Sequence, residues 1–206
     1  MARLCREFYA RDTLDAARAL LGKVLVRRLE GETLAGRVVE TEAYVGRCDK
    51  ACHAYGYRRT ARTETLFAPP GTAYIYLIYG MYHCLNFVTE PEGEPAAVLL
   101  RALEPVAGTE TMARLRYGDK PLTAYRKKNF LNGPGKVCRA LALTRAENGL
   151  DLTGDTLFLC GRPEDAGLPS FPAAARERIV TGPRIGVDYA EEARDFPWRF
   201  RLAKED

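Results

Sequence analysis

Residues 73–88 confine the fold more tightly than any other stretch of this chain. Ala73-Tyr74-Ile75-Tyr76-Leu77-Ile78-Tyr79 is rich in aromatic and β-branched residues, which suit a pleated, half-buried surface. Gly80-Met81 follows, and Tyr82-His83-Cys84-Leu85-Asn86-Phe87-Val88 reads as a second strand. Glycine at the first central position of a two-residue link is the pattern of a type II′ hairpin. Pro91 and Pro95 bound a further turn, and residues 97–103 read as a third, buried strand. Sequential strands joined by hairpins build an antiparallel sheet.

The flanking segments add elements to that sheet. Residues 13–21 read as a short helix started by Asp12 or Thr13 and stopped by Gly22. Val24-Leu25-Val26 begins a strand, Glu30-Gly31-Glu32 is a turn, and residues 34–45 form a second strand. Residues 46–71 are polar and aperiodic, a loop long enough to be functional. Thr109 opens a helix that Gly118 ends, and Asn132-Gly133-Pro134-Gly135 precedes a helix over residues 136–143. The tail is broken by proline and glycine. The expected class is α+β. It is a single mixed domain over residues 1–206, with a curved antiparallel sheet, flanking helices and a projecting β-hairpin.

Composition excludes several classes. No run of 18 apolar residues exists, so no membrane-spanning segment is expected. Residues 1–20 lack the basic, apolar, small-residue order of a signal peptide. The six cysteines form no CxxC pair, and free buried thiols are expected in a reducing compartment. That places the chain in the cytoplasm and nucleoid of a bacterium or archaeon, or in the nucleus of a eukaryote. The net charge is +4. The excess is concentrated in Arg114, Arg116, Lys120, Arg126, Lys127, Lys128, Lys136, Arg139 and Arg145, against Asp119 and Glu147 alone. Such a block suits a polyanionic partner, or equally a surface that only maintains solubility.

Four groups of residues are candidates for chemistry. On a strand, Glu40, Glu42 and Tyr44 share one face, with the two carboxylates about 7 Å apart. Like charges at that distance favour a general base, whereas a solvated strand face is the plain alternative. Periodicity does not choose between Glu40 and Glu42. The tyrosines around the Gly80-Met81 turn suit stacking on bases or wedging between them, as well as packing into a core. Asn132-Gly133-Pro134-Gly135-Lys136 offers backbone N–H groups and a cation to phosphate, or simply enters a helix. Cys48-Asp49-Lys50-Ala51-Cys52-His53 lacks a second ligand pair at zinc-finger spacing.

Taken together, residues 36–44, His53 and residues 70–82 closely resemble the alkyladenine (3-methyladenine) DNA glycosylase family. Cys84-Leu85-Asn86, residues 98–105 and residues 133–138 extend the match in order, and Gly186 onward matches weakly. The resemblance implies a monofunctional glycosylase of base excision repair. It flips a damaged purine from double-stranded DNA and hydrolyses the N-glycosidic bond, without cofactor or metal, as a monomer. It assigns Glu42 to activating the water, with Arg101 near that water. Tyr44, His53, Tyr76 and Asn86 would form the base pocket, Asn86 by crowding the amine of guanine. Tyr79, with Met81, would fill the gap left in the duplex. Arg58, Arg62, Gly135 and Lys136 would meet the DNA backbone. His83 departs from the family pattern, as does part of residues 58–63, and the acidic turn 90–94 would face away from phosphate. Two rival readings remain: a non-catalytic nucleic-acid-binding module, and a thiol or zinc hydrolase built on Cys48, Cys52 and His53.

Overall fold

The computed structural model describes residues 2–170 and 176–205. Met1, residues 171–175 and Asp206, which the expected span 1–206 includes, lie outside them. Two short helices, α1 (Arg6–Tyr9) and α2 (Thr13–Leu20), precede β1 (Val24–Leu29) and β2 (Glu32–Val45). Then come the hairpin β3 (Ala73–Ile78) and β4 (Tyr82–Val88), and the long strand β5 (Ala96–Ala107). Helices α3 (Thr109–Tyr117), α4 (Ala124–Lys128) and α5 (Pro134–Ala140) follow. Strands β6 (Leu157–Cys160), β7 (Glu177–Gly182) and β8 (Arg199–Lys204) end the described chain. All pairings between these strands are antiparallel, in the order β3-β4-β5-β2-β1-β6, with β8 joining β2 to β7. The expected α+β class holds.

Strand β2 organises the sheet. One of its edges pairs with β1 over residues 32–37 and with β8 over residues 40–42. The other edge pairs with β5 over residues 35–45. Val38 faces Leu103, Glu40 faces Ala102 and Thr41 faces Leu100, so Val39 on β2 and Arg101 on β5 are each an extra residue. These two opposed bulges bend the sheet and re-aim the side chains beside them.

Alternation then sorts the two faces. Ala43, Ile75, Leu85, Phe87, Val98 and Leu100 point into the main core. On that side Thr41 donates from Oγ1 to the Ala17 carbonyl of α2 at 2.9 Å. The opposite face carries Glu42 and Tyr44 of β2, Leu99 and Arg101 of β5, Cys84 and Asn86 of β4, and Tyr74 and Tyr76 of β3. That face is where the site forms.

Several expectations need correction. The hairpin link has three residues, Tyr79, Gly80 and Met81, and Ile78 pairs with Tyr82. Tyr79 (φ 52°) and Gly80 (φ 69°) both lie in the left-handed region, as a type I′ turn requires, with Met81 N–H bonded to the Ile78 carbonyl. Helix α5 starts at Pro134 because proline suits a first helical position. Lys136 and Val137 N–H both bond to the Gly133 carbonyl, so the glycine loop offers phosphate fewer donors than expected. Part of the basic block is spent internally. Arg116 donates to the Asn129 and Phe130 carbonyls, and Arg126 to that of Pro121. In the acidic turn, Glu90 is buried and receives Thr13 Oγ1 at 2.6 Å and Arg47 Nη1 at 2.5 Å. The six cysteines are free as expected, but Cys5 and Cys48 are exposed.

Candidate active site

The site face borders a cavity of about 380 Å³. Its floor is the sheet, through Tyr74, Tyr76, Cys84, Asn86, Leu99 and Arg101. The long loop after β2 supplies Cys52, His53 and Leu66 as one wall, and Ile185, Gly186, Val187 and Tyr189 form another. The loop 46–71 is therefore not a bare surface excursion: Asp49, Ala51, Cys52, Ala54 and Thr63 are all buried.

Glu42 lies beneath the cavity lining and is itself fully buried. Its Oε2 accepts from Tyr44 Oη at 2.8 Å and from Arg101 Nη1 at 3.1 Å, and its Oε1 from the Ile185 N–H at 2.9 Å. All three donors line the cavity. An ionised carboxylate has about four acceptor positions, so about one stays open. Burial, then the neighbouring carboxylate of Glu42, pushes the Tyr44 phenol well above its usual range, so it stays protonated and donates to Glu42. Arg101 also reaches Glu40, Nε to Oε1 at 3.5 Å, and Arg199 Nε approaches the same oxygen at 3.4 Å. The two glutamates do share a face, as alternation required. The repulsion expected between them is countered by the guanidinium interposed between their carboxylates.

His53 accepts or donates at Nδ1 with Tyr74 Oη, 3.0 Å away, and its ring stands edge-on to Tyr76 at 4.6 Å. Burial, with Arg62 adding to it, lowers its pKa to about 4, so the ring is neutral near pH 7. Arg62 Nη2 lies 3.4 Å from Nε2. A guanidinium only donates, so Nε2 is the acceptor and the proton resides on Nδ1. Asn86 spends its amide on the Tyr74 and Cys84 carbonyls, at 3.0 and 3.3 Å, which leaves its carbonyl oxygen for the cavity.

Of the residues expected at the duplex, Tyr79 lines the cavity, while Met81 and Gly135 line a separate depression with Tyr82 and His83. Tyr79 is 78% exposed and Met81 66%. Arg58 and Arg62 line a neighbouring depression that shares Cys52, His53 and Tyr189 with the cavity. Gly135 packs against Tyr82, and Lys136 Nζ bonds to Asn132 Oδ1 at 2.7 Å. Sequence reasoning missed Tyr74, although it has the parity of Tyr76. It also missed Cys84 as a lining residue, Ile185, and the buried pair Asp49 and Arg184. Asp49 belongs to the segment weighed as a zinc site, and its carboxylate is held by Arg184. Among the described residues no group of three or more His, Cys, Asp or Glu is placed to hold a metal.

A buried carboxylate thus lies under a largely aromatic cavity beside an exposed tyrosine tip. The methylpurine-DNA glycosylase (MPG) family model matches residues 7–206. The chain belongs to the methylpurine-DNA glycosylase family. Among curated relatives, a Clostridium perfringens protein is 52% identical over 97% of this chain and 95% of its own length. A Bacillus cytotoxicus protein is 54% identical over 94% and 92%, and an Alkaliphilus oremlandii protein 51% over 97% and 95%. All three are named as candidate 3-methyladenine DNA glycosylases. Membership of the family makes the chain a DNA glycosylase of DNA repair, acting on DNA. Among the described residues no helix is long and apolar enough to cross a membrane.

Proposed function

We propose that the chain is a monofunctional glycosylase for alkylated and related damaged purines, 3-methyladenine among them. The purine leaves the duplex, enters the cavity lined by Tyr44, His53 and Tyr76, and is released by hydrolysis. Flipping costs a few kcal/mol, least for a damaged pair, which itself aids selection. Tyr79 and Met81 take the vacated place in the stack. Arg58, Arg62, Gly135 and Lys136 hold the backbone.

Glu42 is the base. Its open acceptor position holds water, Arg101 orients it, and the water oxygen bonds to C1′ as the C1′–N bond breaks. The bond's electron pair leaves with the purine, and the proton of the water passes to Glu42. A fixed carboxylate also stabilises the oxocarbenium-like sugar, as in glycoside hydrolysis generally. Lyase chemistry needs a neutral amine, and among the described residues no lysine lines the cavity. Lys50 is bound by Glu191 at 2.6 Å and Glu192 at 2.9 Å, and these bonds raise its pKa further. The single observation that carries this reading is the buried Glu42 with three donors, all of which line the cavity.

The test is single-turnover release from a duplex holding one 3-methyladenine or hypoxanthine, with a chelator present. Release by the parent and none by Glu42→Gln, with the abasic strand left intact, is the expected result. Undiminished release by Glu42→Gln, or strand cleavage through a borohydride-trappable adduct, would overturn it.

A further inference from the structure

The Asp49–Arg184 pair is wholly buried, at 0% exposure for both side chains. Arg184 Nη1 donates to Asp49 Oδ2 at 2.5 Å and to the Ala43 carbonyl at 2.8 Å. Its Nη2 donates to Asp49 Oδ1 at 2.7 Å and to the Ala193 carbonyl at 3.0 Å. Asp49 also accepts the N–H groups of Val45 and Ala51. The guanidinium lies over the rings of Tyr44 at 4.7 Å and Trp198 at 5.2 Å.

A buried ion pair is weak evidence of stability, because desolvation of both charges offsets their attraction. What it does supply is one fixed geometry, and the groups fixed here are specific. Ala43 is the residue between Glu42 and Tyr44. Its carbonyl is held by Arg184 and its N–H by the Trp198 carbonyl at 2.9 Å. Ile185, the next residue after Arg184, supplies the N–H on Glu42 Oε1. One guanidinium therefore grips the peptide between Ala43 and Tyr44, one residue from the carboxylate, the Tyr44 ring, and the segment that completes the hydrogen bonds of Glu42.

We propose that Asp49 and Arg184 are positioning residues for hydrolysis: the pair sets where the Glu42 carboxylate stands relative to the bound purine. The idea rests on Glu42 being the base. Lysine at 184 keeps the charge but has no planar fork to hold Asp49, Ala43 and Ala193 together. A misplacement of about 1 Å costs about a hundredfold in rate.

Arg184→Lys and Asp49→Asn should each lower the single-turnover rate by about that factor. They should reduce flipping of ethenoadenine, read by its fluorescence, far less. The sole tryptophan of the sequence, Trp198, packs on the guanidinium. A cooperative urea transition followed by its emission shows that each variant is folded, and the rates are compared on folded protein. A parent-like rate in folded Arg184→Lys overturns the proposal. So does an equal fall in flipping and in bond breaking, since that is what simple loosening of the domain produces. Glu42→Gln is run alongside. If it retains activity, the reading of Glu42 as base fails, whatever the Arg184 variants do.

Discussion

The phenol of Tyr44 donates to Oε2 of Glu42 across 2.8 Å, between two residues of one strand separated only by Ala43. The bond orients the carboxylate and at the same time locks the ring beside the cavity. Glu42→Gln should abolish base release and leave duplex binding intact, because an amide cannot take the proton from water. Glu40→Gln should keep substantial activity, since among the described residues the Glu40 carboxylate pairs with Arg101 and Arg199 at the longer distances of 3.5 and 3.4 Å. Tyr44→Phe keeps the ring and removes one of three donors, so its single-turnover rate should lie between these two. The reverse ranking of Glu40 and Glu42 variants would remove the catalytic assignment.

Tyr79 combines strain with exposure. A non-glycine residue in the left-handed region costs about 1–2 kcal/mol, and a bare tyrosine at a turn adds nothing to the core. Tyr79→Asn, which tolerates that region, should raise the urea midpoint while lowering the flipping equilibrium. Stacking by an aromatic is worth about 1–3 kcal/mol per base, so the alanine or asparagine variant should lose roughly tenfold to a hundredfold in flipping. Tyr79→Phe should be nearly silent. Unchanged ethenoadenine fluorescence kinetics in Tyr79→Ala would dismiss the wedge.

Much of this site was legible beforehand because strand alternation is local. Glu42 with Tyr44 needed only alternation. Choosing Glu42 over Glu40, and setting Asn86 on the face of Tyr76, came from the family resemblance, since a two-residue Gly80-Met81 link would have put Leu85 opposite Tyr76 where the structure has Cys84. The hairpin itself was visible, but its turn was misplaced by one residue: a Gly-Met link resembled type II′, whereas the backbone takes its two positive φ angles at Tyr79 and Gly80. The bulge that aims Arg101 depends on Val39 across the sheet and leaves no mark in either segment. Strands β6, β7 and β8 were missed because short strands at a sheet margin carry little periodicity. Arg184 was invisible for another reason. Its partners Asp49, Ala43 and Ala193 are distant or backbone groups, so nothing near it in sequence marks it as buried.

The basic block divides into two kinds of residue, and salt dependence separates them. Lys136 sits in the first turn of α5, two residues after Pro134, which lines the cavity, and burial, then Arg116, lowers its pKa. Lys136→Ala should weaken binding to undamaged duplex and reduce the slope of log K against log salt by about one. Arg116 instead ties the segment before α5 together through the Asn129 and Phe130 carbonyls. Arg116→Ala should lower the urea midpoint and leave the salt slope alone. Equal slopes in parent and Lys136→Ala would take Lys136 out of the backbone contacts.

His53 gives a pH signature of the folded cavity. Burial first, and Arg62 second, depress its pKa from 6.5 to about 4. The unfolded chain therefore binds this proton at a higher pH than the folded one. Between pH 6.5 and about 4 the unfolded state holds more protons, so stability falls as pH falls through that window. Above pH 6.5 both states are neutral at His53, and below about 4 both are charged, so neither range adds to the loss. The shift corresponds to about 2–3 kcal/mol after discount for partial exposure, at about 1.4 kcal/mol per unit. Urea unfolding at pH 7 and pH 4.5 should show that loss in the parent and less of it in His53→Gln, which has no proton to gain. The glycosylase rate should show no limb from His53 near pH 6.5, because the ring stays neutral and keeps its Nδ1 proton on Tyr74. An identical pH dependence of stability in His53→Gln would mean that the depressed pKa belongs to another group.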